Sequence, residues 1–170
     1  MDMRRIHTTL GPFATILSLV ILSLLYFLVW GVPIHDFRLW MLERNFKRAA
    51  LYHPPESIFL EKKKYLGGPH DHGSLQCDFF VGEFRSAPLS RESIRQAYQD
   101  HFIRSISGLG WTPLNVLFFD ERVWTMDSPL GDWWDEWYLG GIATTTPGTA
   151  YFVFASQEGY PFLGDMRCDD

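Results

Sequence analysis

Residues 11 to 34, GPFATILSLVILSLLYFLVWGVPI, contain no Asp, Glu, Lys or Arg. Such a run constrains the first fifth of this 170-residue chain more than any other feature. An α-helix rises about 1.5 Å per residue, so about 20 apolar residues cross a hydrocarbon layer roughly 30 Å thick. Thr15, Ser18 and Ser23 fit such a helix because their hydroxyls bond back to its carbonyls. Pro12 suits a first turn, and GVP at 31–33 reads as a stop signal. Tyr26 and Trp30 lie toward one end, where interfacial aromatics anchor a span. The reading is an N-terminal tail over 1–10 and a single transmembrane helix over 11–33. A cleaved leader fits less well, since the run is long and has no small-x-small cleavage site.

Charge is distributed unevenly beyond that run. Residues 35–64 hold seven Lys/Arg against four Asp/Glu, whereas residues 65–170 hold six against fifteen. A basic collar beside a membrane, followed by an acidic distal domain, is the expected arrangement. The acidic part repels nucleic acid, leaving the lipid bilayer and other membrane protein subunits as the expected partners. Arg4 and Arg5 favour an N-terminus in the cytoplasm, although Arg38, Arg44, Lys47 and Arg48 on the far flank pull the other way. The expected placement is single-pass in a bacterial inner membrane, with the C-terminal domain on the periplasmic side.

The juxtamembrane segment, 34–73, divides into a helix and a loop. HDFRLWMLERNFKRAALYHPP carries Phe37, Trp40 and Met41 on one helical stripe, with Leu39, Leu42 and Phe46 beside it. Asp36 is a candidate cap, and Pro54–Pro55 end the run. This mixture suits a helix lying among headgroups, one packed on a neighbouring subunit, or a plain helix of the soluble domain. EKKKYLGGPHDHGS is expected to be a loop, its three lysines near lipid and its glycines and proline marking turns.

The distal domain, 74–170, reads as α+β. SLQCDFFVGEF alternates Leu75, Cys77, Phe79 and Val81 on one strand face. Ser90 can cap a helix whose apolar stripe is Ile94, Ala97, Tyr98, Phe102 and Ile106, closed by Gly108 or Gly110. WTPLNVLFFDERVW supplies one or two strands, and EWYLGGIATTT with AYFVFAS forms a hairpin around TPGT. The fold class is therefore a small antiparallel sheet with one packed helix, joined to the membrane by an amphipathic helix. The strand–helix–GW–strand order resembles small bacterial envelope domains, a likeness too general to imply an activity.

The residues that bear chemistry are few. Cys77 and Cys168 are the only cysteines; a bond between them would close a loop of about 90 residues and tie down the C-terminus. That pairing suits an oxidising compartment and supports the periplasmic placement. His70 and His72 flank Asp71, and His53 and His101 occur elsewhere, but no further ligand follows at a metal-site interval. Cys77 in a strand is poorly placed as a nucleophile. Asp127, Asp132, Asp135 and Glu136 read as a solvated loop. Trp133, Trp134 and Trp137 among these acids are costly to leave in water and, with Tyr26, Trp30 and Trp40, are expected at a partner or membrane interface. Nucleotide-binding glycine loops and haem-attachment motifs are missing from the sequence, so no cofactor is expected. The resulting expectation is a non-catalytic accessory subunit of a larger membrane complex, respiratory or photosynthetic. A tethered envelope assembly factor is the first alternative, and an enzyme the second.

Overall fold

The computed structural model describes residues 4–29, 32–67, 76–118, 147–161 and 163–168. Helix α1 runs Arg4–Val29 and helix α2 runs Val32–Phe46, followed by a 3-10 turn over Lys47–Leu51. Pro33 therefore opens the second helix rather than only stopping the first. Its missing N–H falls among first-turn donors that have no intrahelical partner anyway. Asp36, the expected cap, instead lies inside α2 and pairs with Arg167 at 2.8 Å.

The sheet is antiparallel. Strands β1 (Ile58–Gly67), β2 (Gln76–Ala87), β5 (Asn115–Phe118) and β6 (Thr149–Pro161) lie in the order β1-β2-β6-β5. Helix α3 (Arg91–Tyr98) follows β2, and β3 (Phe102–Arg104) pairs with β4 (Trp111–Pro113) as a separate ribbon. The α+β reading with a small antiparallel sheet is thus correct, with three α-helices among the described residues. Among the described residues, no helix is long and apolar enough to cross a membrane. The side chains of α1 are described from Pro12 to Tyr26, which is about 22 Å of helix.

Three local expectations are corrected. EKKKYLG is not a loop but most of β1, paired with β2 from Glu61↔Phe84 to Gly67↔Asp78. Its lysines look like loop composition but suit the edge of the sheet formed by the described strands, where charge blocks pairing with a further chain. The helix after Ser90 stops at Tyr98, well before Gly108. Asp100 takes φ 60°, a left-handed turn that ends the helical path. Beyond it, Phe102 joins β3 and the Ile106 N–H donates to Gln157 Oε1 at 2.6 Å. Ser90 does cap α3, its side chain accepting from Ser93 N. In α2, finally, the inward stripe is His35, Leu39, Leu42, Phe46 and, in the turn beyond, Ala49. Phe37 and Trp40 face out and stack loosely on each other.

Both faces of the sheet are apolar. Cys77, Phe79, Val81, Tyr151, Val153 and Ala155 pack beneath the helices, with Leu42, Phe46 and Ile94 in the same core. Leu75, expected on that face, lies outside the described residues. The opposite face holds Phe80, Phe84, Phe152 and Phe154, with Phe84 and Phe152 stacked at 4.2 Å. Gly82 lies between these rings because a Cβ there would meet Phe152 Cζ at 2.4 Å. A strand buried on both faces loses the polar alternation that marks a half-exposed one. The expected hairpin falls partly on EWYLGGIATTT, outside the described residues; its other arm is the central strand β6.

Candidate functional site

Cys77 and Cys168 form a disulfide, with Cα atoms 5.0 Å apart. Cys77 is held in β2, and Cys168 in a 3-10 turn over Met166–Cys168. Both are buried, as is His35 from the first turns of α2. The imidazole lies against the bridge, with Nδ1 3.3 Å from Cys77 Sγ and 3.1 Å from Asp165 Oδ2. Nε2 donates to the Pro161 carbonyl at 3.0 Å.

A carbonyl only accepts, so Nε2 carries a hydrogen. Nδ1 faces a carboxylate oxygen and a sulfur. Asp165 is enclosed by donors. Arg167 donates Nε to Oδ1 at 2.9 Å and Nη2 to Oδ2 at 2.7 Å, and its backbone N–H reaches Oδ1 at 3.2 Å. Burial pushes the Asp165 carboxyl up, but the Arg167 and His35 donors outweigh it and hold it below the usual carboxylate range. Arg167 passes the charge outward to exposed Asp36. Nearby, the Arg38 guanidinium covers the Tyr160 ring at 4.1 Å, and Tyr160 is the cross-strand partner of Cys77. The result is a buried bridge bordered by one imidazole and one carboxylate, with Arg167 beside the carboxylate.

A second polar network lies in the same core. His53 Nδ1 is 2.8 Å from the Tyr98 hydroxyl, and Nε2 is 3.3 Å from Glu83 Oε2. Tyr98 in turn meets Tyr151 hydroxyl to hydroxyl at 3.1 Å, while Arg85 Nη1 donates to Glu83 at 2.8 Å. One consistent hydrogen placement runs Tyr151 to Tyr98 to His53 to Glu83. Carboxylate, imidazole and hydroxyl in this order are also the parts of a nucleophile triad. Here, however, both phenol rings are fully buried, and burial with the Tyr151 hydroxyl pushes the Tyr98 phenol upward. A phenol that is neither accessible nor ionised cannot attack a substrate. The network braces α3 against β2 and β6.

The surface features are aromatic. Trp111 is 65% exposed and Phe102 and Leu109 also face out from the β3–β4 ribbon. Beside them is an open cleft of about 420 Å³, lined by Tyr52, Asp100, His101, Phe102 and Trp111. His101 stacks on Tyr52 at 3.9 Å there. Of the expected interface residues, Tyr26 and Trp40 are exposed, and Arg44 lies 5.5 Å from the Trp40 ring. Trp30, Trp133, Trp134 and Trp137 lie outside the described residues, as do His70, His72, Asp127, Asp132, Asp135 and Glu136. Sequence reasoning paired the cysteines but missed His35, Asp165 and Arg167, which are far apart in the chain. The signal for His35 was weak: one ionisable residue continuing an otherwise apolar helical stripe. The chain matches no family model, no curated protein and no solved structure.

Proposed function

We propose that this protein is a membrane-tethered accessory subunit, with α1 as its single-pass anchor and the α+β domain as its contact surface. The observation that carries the reading is the uncovered apolar surface of α1. Phe13, Ile16, Leu17, Leu19, Val20, Ile21, Leu22, Leu24 and Leu25 are between 47% and 68% exposed. A surface of that kind is stable only against lipid or other protein. The uncharged run extends past these side chains in both directions, from residue 11 to 34, long enough for a bilayer. A domain stapled by a disulfide fits the periplasmic side. Exposed Phe37, Trp40, Phe102 and Trp111 offer rigid contact area of the kind that dominates protein interfaces.

The test is extraction of membranes from cells making the full chain, first with alkaline carbonate and then with a mild detergent. Retention through carbonate, followed by stoichiometric co-purification with other subunits in native mass analysis, is the expected result. Release by carbonate removes the anchor. An anchored chain that purifies alone or only as a homodimer removes the accessory role. Substoichiometric partners would favour the tethered assembly factor.

A further inference from the structure

We propose that Cys77, Cys168, His35 and Asp165 form a tetrahedral site for a zinc-like divalent cation once the disulfide is reduced. Donor atoms of His35, Cys77 and Cys168 all lie within 4.8 Å of one another, and Asp165 Oδ2 is 3.1 Å from His35 Nδ1. Around a tetrahedral zinc ion, nitrogen and sulfur ligands stand about 3.6 Å apart, and nitrogen and oxygen ligands about 3.3 Å. The structure already holds the corresponding pairs at 3.3 Å and 3.1 Å. The two sulfurs must part, to about 3.8 Å, which rotation of side chains whose Cα atoms are 5.0 Å apart permits, and the Asp165 carboxylate, which lies outside the 4.8 Å group, must swing toward them.

The surroundings are those of a metal site. A ligating histidine ordinarily donates its other ring N–H to a carbonyl or carboxylate, which fixes the ring; here Nε2 donates to Pro161 O. The carboxylate ligand is itself oriented by two Arg167 nitrogens and the Arg167 backbone. Two thiolates, one carboxylate and a divalent ion sum to a single negative charge, which Arg167 balances. Two thiolates with an imidazole suit zinc, cobalt(II) and similar borderline ions better than calcium or magnesium.

The chemistry balances with a dithiol reductant. Its two thiols supply two electrons and two protons, the Cys77–Cys168 bond breaks to two thiols, and the reductant becomes the disulfide. The divalent ion then displaces both thiol protons to solvent and takes the Nδ1 lone pair of His35. The disulfide form of the same reductant reverses the sequence by thiol–disulfide exchange, taking up the two electrons and two protons and releasing the ion, so metal occupancy follows the redox state.

The test uses the full chain in detergent micelles, reduced anaerobically with a phosphine and titrated with cobalt(II) alone. The expected result is one cobalt per chain, with intense ligand-field bands of a four-coordinate ion and thiolate-to-cobalt charge transfer. The oxidised protein gives neither, and zinc abolishes both. C168S is expected to weaken cobalt binding at least a hundredfold, and H35Q and D165N at least tenfold each, with circular dichroism confirming a folded chain. A folded reduced protein without charge-transfer bands overturns the proposal. So do unchanged affinities in folded H35Q and D165N, which would mean that two loose thiols suffice. Should reduction unfold the chain, refolding by zinc supports the site and failure to refold overturns it.

Discussion

Asp165 lies 3.1 Å from His35 although 130 residues separate them in the chain. The contact closes the protein on itself. α2 supplies the imidazole near the start of the domain, and the residues just after β6 supply the carboxylate near its end. Removing the carboxylate leaves His35 and Arg167 without their buried acceptor. D165N is expected to lower stability by about 3 kcal/mol, read as a reduced urea midpoint in detergent micelles. A double-mutant cycle with H35Q should show coupling, since the residues share one network. Additive effects would mean that the pair is not formed.

The bridge from Cys77 to Cys168 spans 91 residues. In the chain-entropy account a loop of that size stabilises by about 4.6 kcal/mol. The C77A/C168A double variant, measured without added metal, should therefore lose most of this and melt well below the parent. A loss under about 1 kcal/mol would show that the C-terminal turn is held by Asp165 and Arg167 instead.

Asp78 sits beside Cys77 in β2 and is buried. Burial, with the Glu158 charge close by, pushes its carboxyl up to about 6, against a lowering bond from Gly159. The folded state then binds more protons than the unfolded state between about pH 4 and 6. Stability falls as pH rises through that window, and the full penalty is present above it. D78N removes the charge, so it should stabilise the protein at pH 7 by at most about 3 kcal/mol. The gain should vanish below about pH 4. Denaturation midpoints of both proteins across pH 3.5 to 8 measure this; parallel curves would contradict it.

Gly82 faces Phe152, whose ring would stand 2.4 Å from any added Cβ, and Phe154 Cβ would stand at 2.8 Å. The rings are stacked and fully buried, so they have little room to retreat. G82A is expected to cost about 1–3 kcal/mol by overpacking. A thermal midpoint equal to that of the parent would show that the aromatic face is loosely packed.

Glu83 is pushed up by burial, but donors from His53 and Arg85 prevail and hold its carboxyl below the usual range. Its contribution is thus present above its unfolded value and is lost as pH falls through the folded one. E83Q should be less stable than the parent at pH 7, with the difference shrinking toward acid. A constant difference at all pH values would show that Glu83 acts through packing alone.

Residue order along the chain was enough to determine the α+β class, the pairing of two cysteines, the Ser90 cap and the face shared by Cys77, Phe79 and Val81. Each depends on neighbours in sequence or on arithmetic with two partners. The strand character of EKKKYLG was hidden because its pairing partner, β2, is what makes a charged segment extended. The early stop of α3 was hidden similarly, since Gln157 and the β3–β4 ribbon capture residues whose periodicity fits a longer helix. Local periodicity measures the preference of one segment, and a tertiary hydrogen bond or burial can exceed it. The His35–Asp165–Arg167 cluster and the Glu83–His53–Tyr98–Tyr151 chain carry no sequence spacing at all. They exist because sheet register and helix packing bring distant side chains within 3 Å or so of one another, and only the tertiary structure decided which residues those would be.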